Sequence, residues 1–161
     1  MITQKRLKEV LEYNPETGVF TKKQKIGRGK VGCKCGGLNW KGYWIVSADN
    51  QRYRAHRLAW LYMYGKFPDN QIDHINHDKI DNRIENLREV TNSVNHRNMK
   101  KPSSNTSGVV GLYWWKDRQV WQTFIGANPR KSLGNYKDFF EAVCARKSAE
   151  RKFNYHLNHG K

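Results

Sequence analysis

The apolar positions along the chain fall in short, separated sets, and each set predicts one small element. Leu7, Val10 and Leu11 recur at helical spacing after Thr3, whose hydroxyl suits an N-cap, so residues 3–13 read as a short amphipathic helix. Asn14-Pro15-Glu16-Thr17-Gly18 is turn chemistry, and Val19-Phe20-Thr21 is a short strand after it. Residues 22–37, rich in Lys and Gly, predict a mobile cationic loop. Tyr43-Trp44-Ile45-Val46 and Arg52-Tyr53-Arg54 predict two strands joined around Asp49-Asn50. Leu58, Ala59, Leu61 and Tyr62 give a helical stripe to His56–Tyr64, which Gly65 ends.

Residues 66–90 differ in kind. They are short of apolar side chains and crowded with Asp, Asn and His. Ile72 with Ile75, and Leu87 with Val90, predict two short strands around a loop from Asn76 to Asn86, and Thr91 is a suitable N-cap for a helix through about Met99. Residues 101–108 hold no large apolar residue and read as a linker. Beyond it the pattern resets: Val109–Trp115, Val120–Ile125 and Lys131–Tyr136 predict strands, with turns at Lys116-Asp117-Arg118 and Ala127-Asn128-Pro129-Arg130, and Asp138 opens a helix to about Phe153. The expected class is α+β, with one domain over 1–100 and a self-contained module of three strands and a helix over 109–161.

Composition narrows the partners. Thirty Lys and Arg against 14 Asp and Glu give a net charge of +16, and a chain so basic seeks polyanions. Nucleic acid comes first. An anionic membrane surface comes second, but it asks for a basic amphipathic helix with an apolar face, and none stands out. Hydrophobic residues are 37%, below the roughly 45–50% of an average chain, which predicts small cores and long loops. The 6 Trp, 8 Tyr and 6 Phe argue against disorder. A mean hydropathy of −0.92 excludes an integral membrane protein. The start, Met1-Ile2-Thr3-Gln4-Lys5-Arg6, lacks the apolar core of a signal peptide, so an intracellular, non-secreted protein is expected. Cys33, Cys35 and Cys144 are an odd count, and Cys33-x-Cys35 is too closely spaced for the usual zinc knuckle, so free thiols are the default.

Chemistry concentrates in Ile72-Asp73-His74-Ile75-Asn76-His77-Asp78, Asp81-Asn82-Arg83-Ile84-Glu85-Asn86-Leu87-Arg88 and Val90-Thr91-Asn92-Ser93-Val94-Asn95-His96-Arg97. Carboxylate and amide oxygens suit a hard divalent ion, and a histidine beside such an ion is a natural general base. A phosphodiester would supply the remaining ligands and the substrate. Asn82 reads as a loop residue satisfying backbone groups, and Asn86 is open to the same reading. His56 could contact phosphate or cap its helix, a structural role being the default.

Asp73-His74, Asn86 and Asn95 resemble the three stations of the HNH, or ββα-metal, nucleases, and most closely the homing-endonuclease-like group common in phage genomes. Tyr13-Asn14-Pro15-Glu16-Thr17-Gly18-Val19-Phe20 and Arg54-Ala55-His56-Arg57-Leu58-Ala59-Trp60 resemble that group's upstream segment, so roughly residues 10–100 are covered. The resemblance implies a DNA endonuclease with one Mg²⁺ or Mn²⁺ per site. Asp73 and Asn95 would be the metal ligands, His74 would activate water, and Asn86 would orient His74 through a hydrogen bond. Products with 5′-phosphate and 3′-hydroxyl ends are implied. His96, beside Asn95, is the alternative third station. Adjacent residues on a regular strand point to opposite faces, so Asp73 and His74 should sit where the strand breaks. Arg88 and Arg97 flank the site as candidate phosphate clamps or plain surface charges.

Gly108–Trp115, Val120–Thr123, Leu133–Tyr136 and Phe140–Val143 resemble the AP2 DNA-binding domain, a three-stranded sheet backed by one helix. The resemblance places Tyr113, Trp115, Lys116, Arg118, Arg130 and Ser132 on or near a DNA-facing side, with Leu112 and Trp114 toward the core. Tyr113 and Trp115 replace the arginines usual on the first strand, which puts guanine readout there in doubt. The expected partner is double-stranded DNA, bound by a monomer or weak homodimer. The rivals are a DNA-binding regulator without catalysis on the same scaffold, and an RNA-binding or RNA-cleaving protein.

Overall fold

Thr3 accepts the Arg6 N–H through its hydroxyl and caps α1 (Gln4–Val10), which buries Leu7 and Val10. The helix stops three residues short of Tyr13, because Leu11–Asn14 is needed elsewhere. It forms β1, paired with β2 (Val19–Lys22) from Leu11 opposite Lys22 to Asn14 opposite Val19. Asn14 Oδ1 accepts the N–H groups of Glu16 and Thr17 and shapes the turn. The computed structural model describes residues 1–25, 29–126 and 129–161. Part of the cationic loop, 26–28, therefore lies outside the described residues, as do Ala127 and Asn128 of the later turn. The rest of that loop is bonded to β2: Lys22 N–H reaches Cys33 O, and Cys35 N–H and Sγ both lie on Phe20 O. Cys35 is buried, while Cys33 and Cys144 are exposed.

A second sheet joins β3 (Gly37–Leu38), β4 (Trp44–Ala48) and β5 (Gln51–Arg54) in that order. Asp49 and Asn50 both take positive φ, 46° and 59°, the left-handed pair that a two-residue hairpin favours. α2 (Ala55–Tyr64) follows directly and ends at Gly65, φ 82°. Leu7, Val10, Leu11, Phe20, Val46, Ala55, Leu58 and Ala59 are buried to 1% or less and form one core with Tyr13 and Leu61. The polar segment adds β6 (Gln71–His74) and β7 (Leu87–Val90), then α3 (Asn92–His96).

The chain divides into two compact units, Met1–Asn95 and His96–Lys161. That boundary falls five residues before the one read from the sequence, and α3 is shorter than the helix expected through Met99. The reason lies in residues 97–99. Arg97 O accepts from His156 N–H, Met99 O accepts from Gly160 N–H, and Asn98 is 2% exposed. Residues 101–108 carry local turns: Asn105 N–H reaches Pro102 O and its side chain reaches Val109 O. In the second unit β8 (Leu112–Trp115), β9 (Val120–Ile125) and β10 (Lys131–Tyr136) form an antiparallel sheet with β9 central. α4 (Phe139–Lys152), capped by Asp138, packs on it. Buried Arg146 of α4 donates to Phe124 O on β9, which ties helix to sheet, and is held along its own helix by Glu150 Oε1.

Candidate active site

The β6–β7 ladder pairs Asp73 with Arg88 and His74 with Leu87. It runs regularly through His74, the last residue of β6, and the chain turns at Ile75. The break expected at this pair thus follows His74 rather than dividing it from Asp73, and alternation sends the two side chains to opposite faces of the hairpin.

On one face Asp73 is buried, and Arg88 donates to its Oδ2 from Nε at 3.0 Å and Nη2 at 2.8 Å. Gln71 shares this face, two residues away. Asn95 donates from Nδ2 to Gln71 Oε1 at 2.6 Å, which places α3 on the Asp73 side and commits the amide N–H rather than its oxygen. His96 Nδ1 lies instead 3.0 Å from Met99 Sδ. Among the described residues no cluster of three or more His, Cys, Asp or Glu could hold a metal. The oxygen donors available are therefore one carboxylate and one carboxamide. That set fits a hard ion that takes its other ligands from water and phosphate, the usual habit of Mg²⁺.

On the other face His74 is buried, with Nε2 3.4 Å from Asn82 Oδ1. Asn82 Nδ2 donates to Ile80 O at 2.9 Å, so its oxygen is the end turned to the ring. Nε2 is then the donor, and Nδ1 is the basic nitrogen. Burial pulls the His74 pKa below the ordinary imidazole value, opposed by the Asn82 bond and by Asp73, Asp78 and Asp81. Asn86 closes the neck of the loop. Its Oδ1 accepts Asn76 N–H at 2.9 Å, its Nδ2 donates to Asp81 O at 2.8 Å, and its carbonyl accepts Ile75 N–H. Thus Asn82, read from sequence as a loop residue, lies against His74 Nε2, while the Asn86 amide braces the loop. Asp81 is held at about 2 by hydrogen bonding to Arg83.

The N-terminal hairpin buttresses this loop from below. Tyr13 OH donates to Asn82 O at 2.7 Å, and Ile84 N–H donates to Pro15 O at 3.1 Å. Burial pushes the Tyr13 phenol above its ordinary pKa. Gly18, φ 71°, lies so close that an added Cβ would meet Asn82 C at 2.5 Å.

His56, for which a structural role is the default expectation, packs directly against the site. Its ring stands perpendicular to that of His74 with centroids 5.0 Å apart, and Tyr43 lies beside both. It is 3% exposed, and its Nδ1 finds no hydrogen-bond partner among the described residues. Burial, then His74, Arg54 and Arg57, lower its pKa to about 3. The unfolded chain therefore binds a proton, between about 6.5 and 3, that the folded one refuses. Stability should be present in full above about 6.5 and should fall as pH drops below it. Urea unfolding at decreasing pH should show a falling midpoint that His56→Gln flattens; an unchanged midpoint in wild type would refute this.

The remaining candidates lie in the second unit. Trp121 packs on Phe139 of α4 at 4.9 Å, and its cross-strand partner Trp114 at 5.1 Å, so Leu112 and Trp114 share the helix side. Trp114, on an edge strand, is still 46% exposed, more than a core residue would be. Tyr113 and Trp115 take the opposite face, where Arg130 stacks 4.5 Å from the Tyr113 ring and Arg118 4.2 Å from Trp115. Ser132 pairs with Phe124 on that face, and Lys116 follows β8, exposed.

The HNH endonuclease family profile matches residues 53–97, from Tyr53 on β5 to just past α3. Over 92 residues the chain is 35% identical to Protein 3.8 of Escherichia phage T7, a span of 56% of this chain and 76% of that protein. The chain belongs to the HNH endonuclease family. No solved structure matches it significantly. The HNH match encloses Asp73, His74, Asn82, Asn86, Arg88 and Asn95 and leaves the buttressing N-terminal hairpin outside. Among the described residues of this HNH protein, no helix is long and apolar enough to cross a membrane.

Proposed function

We propose that this HNH protein is a metal-dependent endonuclease that hydrolyses phosphodiester bonds in double-stranded DNA. The carrying observation is the buried His74 at the end of β6, its Nε2 3.4 Å from Asn82 Oδ1, inside the segment matched by the HNH endonuclease family. His74 Nδ1 takes a proton from the attacking water, and Asn82 Oδ1 steadies the imidazolium through Nε2. Asn86 keeps the 75–86 loop closed around this geometry. Asp73 and Asn95 would hold one Mg²⁺ or Mn²⁺; when bound, the ion supplies charge stabilisation at the phosphate and at the leaving 3′-oxygen. Products with 5′-phosphate and 3′-hydroxyl ends follow from that direction of cleavage. Asn95 is favoured over His96 because its amide is bonded to the strand that carries Asp73.

The second unit is read as an AP2-like DNA-binding module whose face away from α4 meets the duplex through Tyr113, Trp115, Lys116, Arg118, Arg130 and Ser132. Arg88 and Arg97 would supply further phosphate contacts. One site cuts one strand, so a monomer nicks and a homodimer could cut both.

The test is conversion of supercoiled plasmid to the nicked form, with Mg²⁺ or Mn²⁺ and again with EDTA. Cleavage that persists in EDTA contradicts the metal assignment. Asn82→Ala should lower the rate about tenfold while DNA affinity stays constant, the scale of losing one hydrogen bond to a charged group. An unchanged rate would remove Asn82 from the mechanism.

A further inference from the structure

Asp73 is already ion-paired in this structure. Its carboxylate is 8% exposed, and the two Arg88 N–H donors converge on one oxygen, Oδ2. The contact is built into the register, since Asp73 and Arg88 are direct cross-strand partners. The guanidinium is the more open member, 28% exposed. A buried carboxylate without a partner would destabilise the hairpin, so the pair is a reasonable resting state. It also obstructs metal binding. A divalent ion on Asp73 would share one small carboxylate with a fixed guanidinium, and two cations at that separation repel.

We infer that Arg88 reserves the Asp73 carboxylate, and that the metal site opens when a DNA phosphate draws the guanidinium away. The inference rests on the reading of Asp73 as a metal ligand. Phosphate is the fitting competitor, because the planar guanidinium fork matches it with two hydrogen bonds. One phosphodiester then does two things: it takes over Arg88 and brings oxygen atoms to the vacated side of Asp73. Metal and DNA affinities are thereby linked, and linkage is reciprocal: each ligand strengthens binding of the other. Arg88 is a positioning residue here, acting on metal through Asp73.

Mn²⁺ titration followed by electron paramagnetic resonance, without DNA, tests this directly. Arg88→Gln should tighten Mn²⁺ binding about tenfold, the scale of one charge-assisted hydrogen bond, and Arg88→Lys should fall between it and wild type. Asp73→Asn should abolish the site. Saturating duplex DNA, in a His74→Ala background where cleavage is slow, should tighten Mn²⁺ binding when Arg88 is present and far less in Arg88→Gln. Mn²⁺ binding that depends on Asp73 but is no tighter in Arg88→Gln or Arg88→Lys overturns the inference. Binding indifferent to Asp73→Asn overturns the underlying metal assignment instead. Circular dichroism melts establish that each variant is folded, and if Arg88→Gln is not, the Arg88→Lys comparison decides.

Discussion

Replacing His74 with alanine is expected to slow DNA cleavage about 10²–10⁴-fold while leaving DNA affinity near wild type, the range that a positioned general base contributes. The imidazole is buried at a strand end, packed against His56 and Tyr43, with Asn82 on Nε2. His56 is adjacent but deeply buried, and its pKa near 3 makes it a far weaker base at neutral pH. His74→Gln, closer in volume, separates lost chemistry from lost packing: it should be as inactive as alanine and more stable. The measurement is plasmid nicking under single-turnover conditions with Mg²⁺ or Mn²⁺, beside a DNA-binding titration. Wild-type cleavage by His74→Ala would eliminate His74 as the base. A wild type and a His74→Ala variant that bind DNA equally and are both inert would favour the regulator without catalysis.

The second large effect lies far from the motif in sequence. Gly18→Ala should destabilise the first unit by about 3 kcal/mol, lowering its melting temperature by roughly 10–20 °C. Two penalties combine. At φ 71° an alanine adopts the left-handed region unwillingly, and its Cβ would meet backbone atoms Asn82 C at 2.5 Å, Arg83 N at 2.6 Å and Asn82 N at 2.9 Å. Backbone cannot swing aside as a flexible side chain can, so the 82–84 segment must move, and Asn82 moves with it away from His74. Cleavage should fall even below the new melting temperature. Gly42→Ala is the control: φ there is 78°, but nothing lies within 4 Å of the added Cβ, so only the backbone strain of about 1 kcal/mol remains. Equal melting temperatures for the two variants would show that the hairpin does not press on the loop.

The elements that rest on local signals were legible in the chain. Thr3, Gly65 and Asp138 mark helix ends because caps depend on one or two residues, and Asp49-Asn50 marks its hairpin for the same reason. Residues 11–13 read as helix because their spacing continues α1, whereas tertiary pairing of Leu11–Asn14 with Val19–Lys22 prevails. α3 ends early for a similar reason: residues 97–99 bond to the C-terminal segment, a partner that no local pattern announces. In the site, residue types were readable and contacts were not. Asn82 and Asn86 are four positions apart in one polar run, and only the folded loop decides which amide meets the imidazole. His56 gave no signal beyond its family-like setting, because a ring-to-ring contact across 18 positions has no sequence period.

The bond from Tyr13 to Asn82 joins residues 69 positions apart. A contact of that separation closes a long chain segment, and the interactions it makes must offset that closure cost. Residues 53–97 can bring the motif together locally, but the loop that aims His74 is seated only when the N-terminal hairpin docks beneath it. The motif residues and their working geometry therefore depend on different parts of the chain. A proteolytic nick between residues 22 and 53 that let the hairpin drift off would leave every motif residue in place and still disarm the loop.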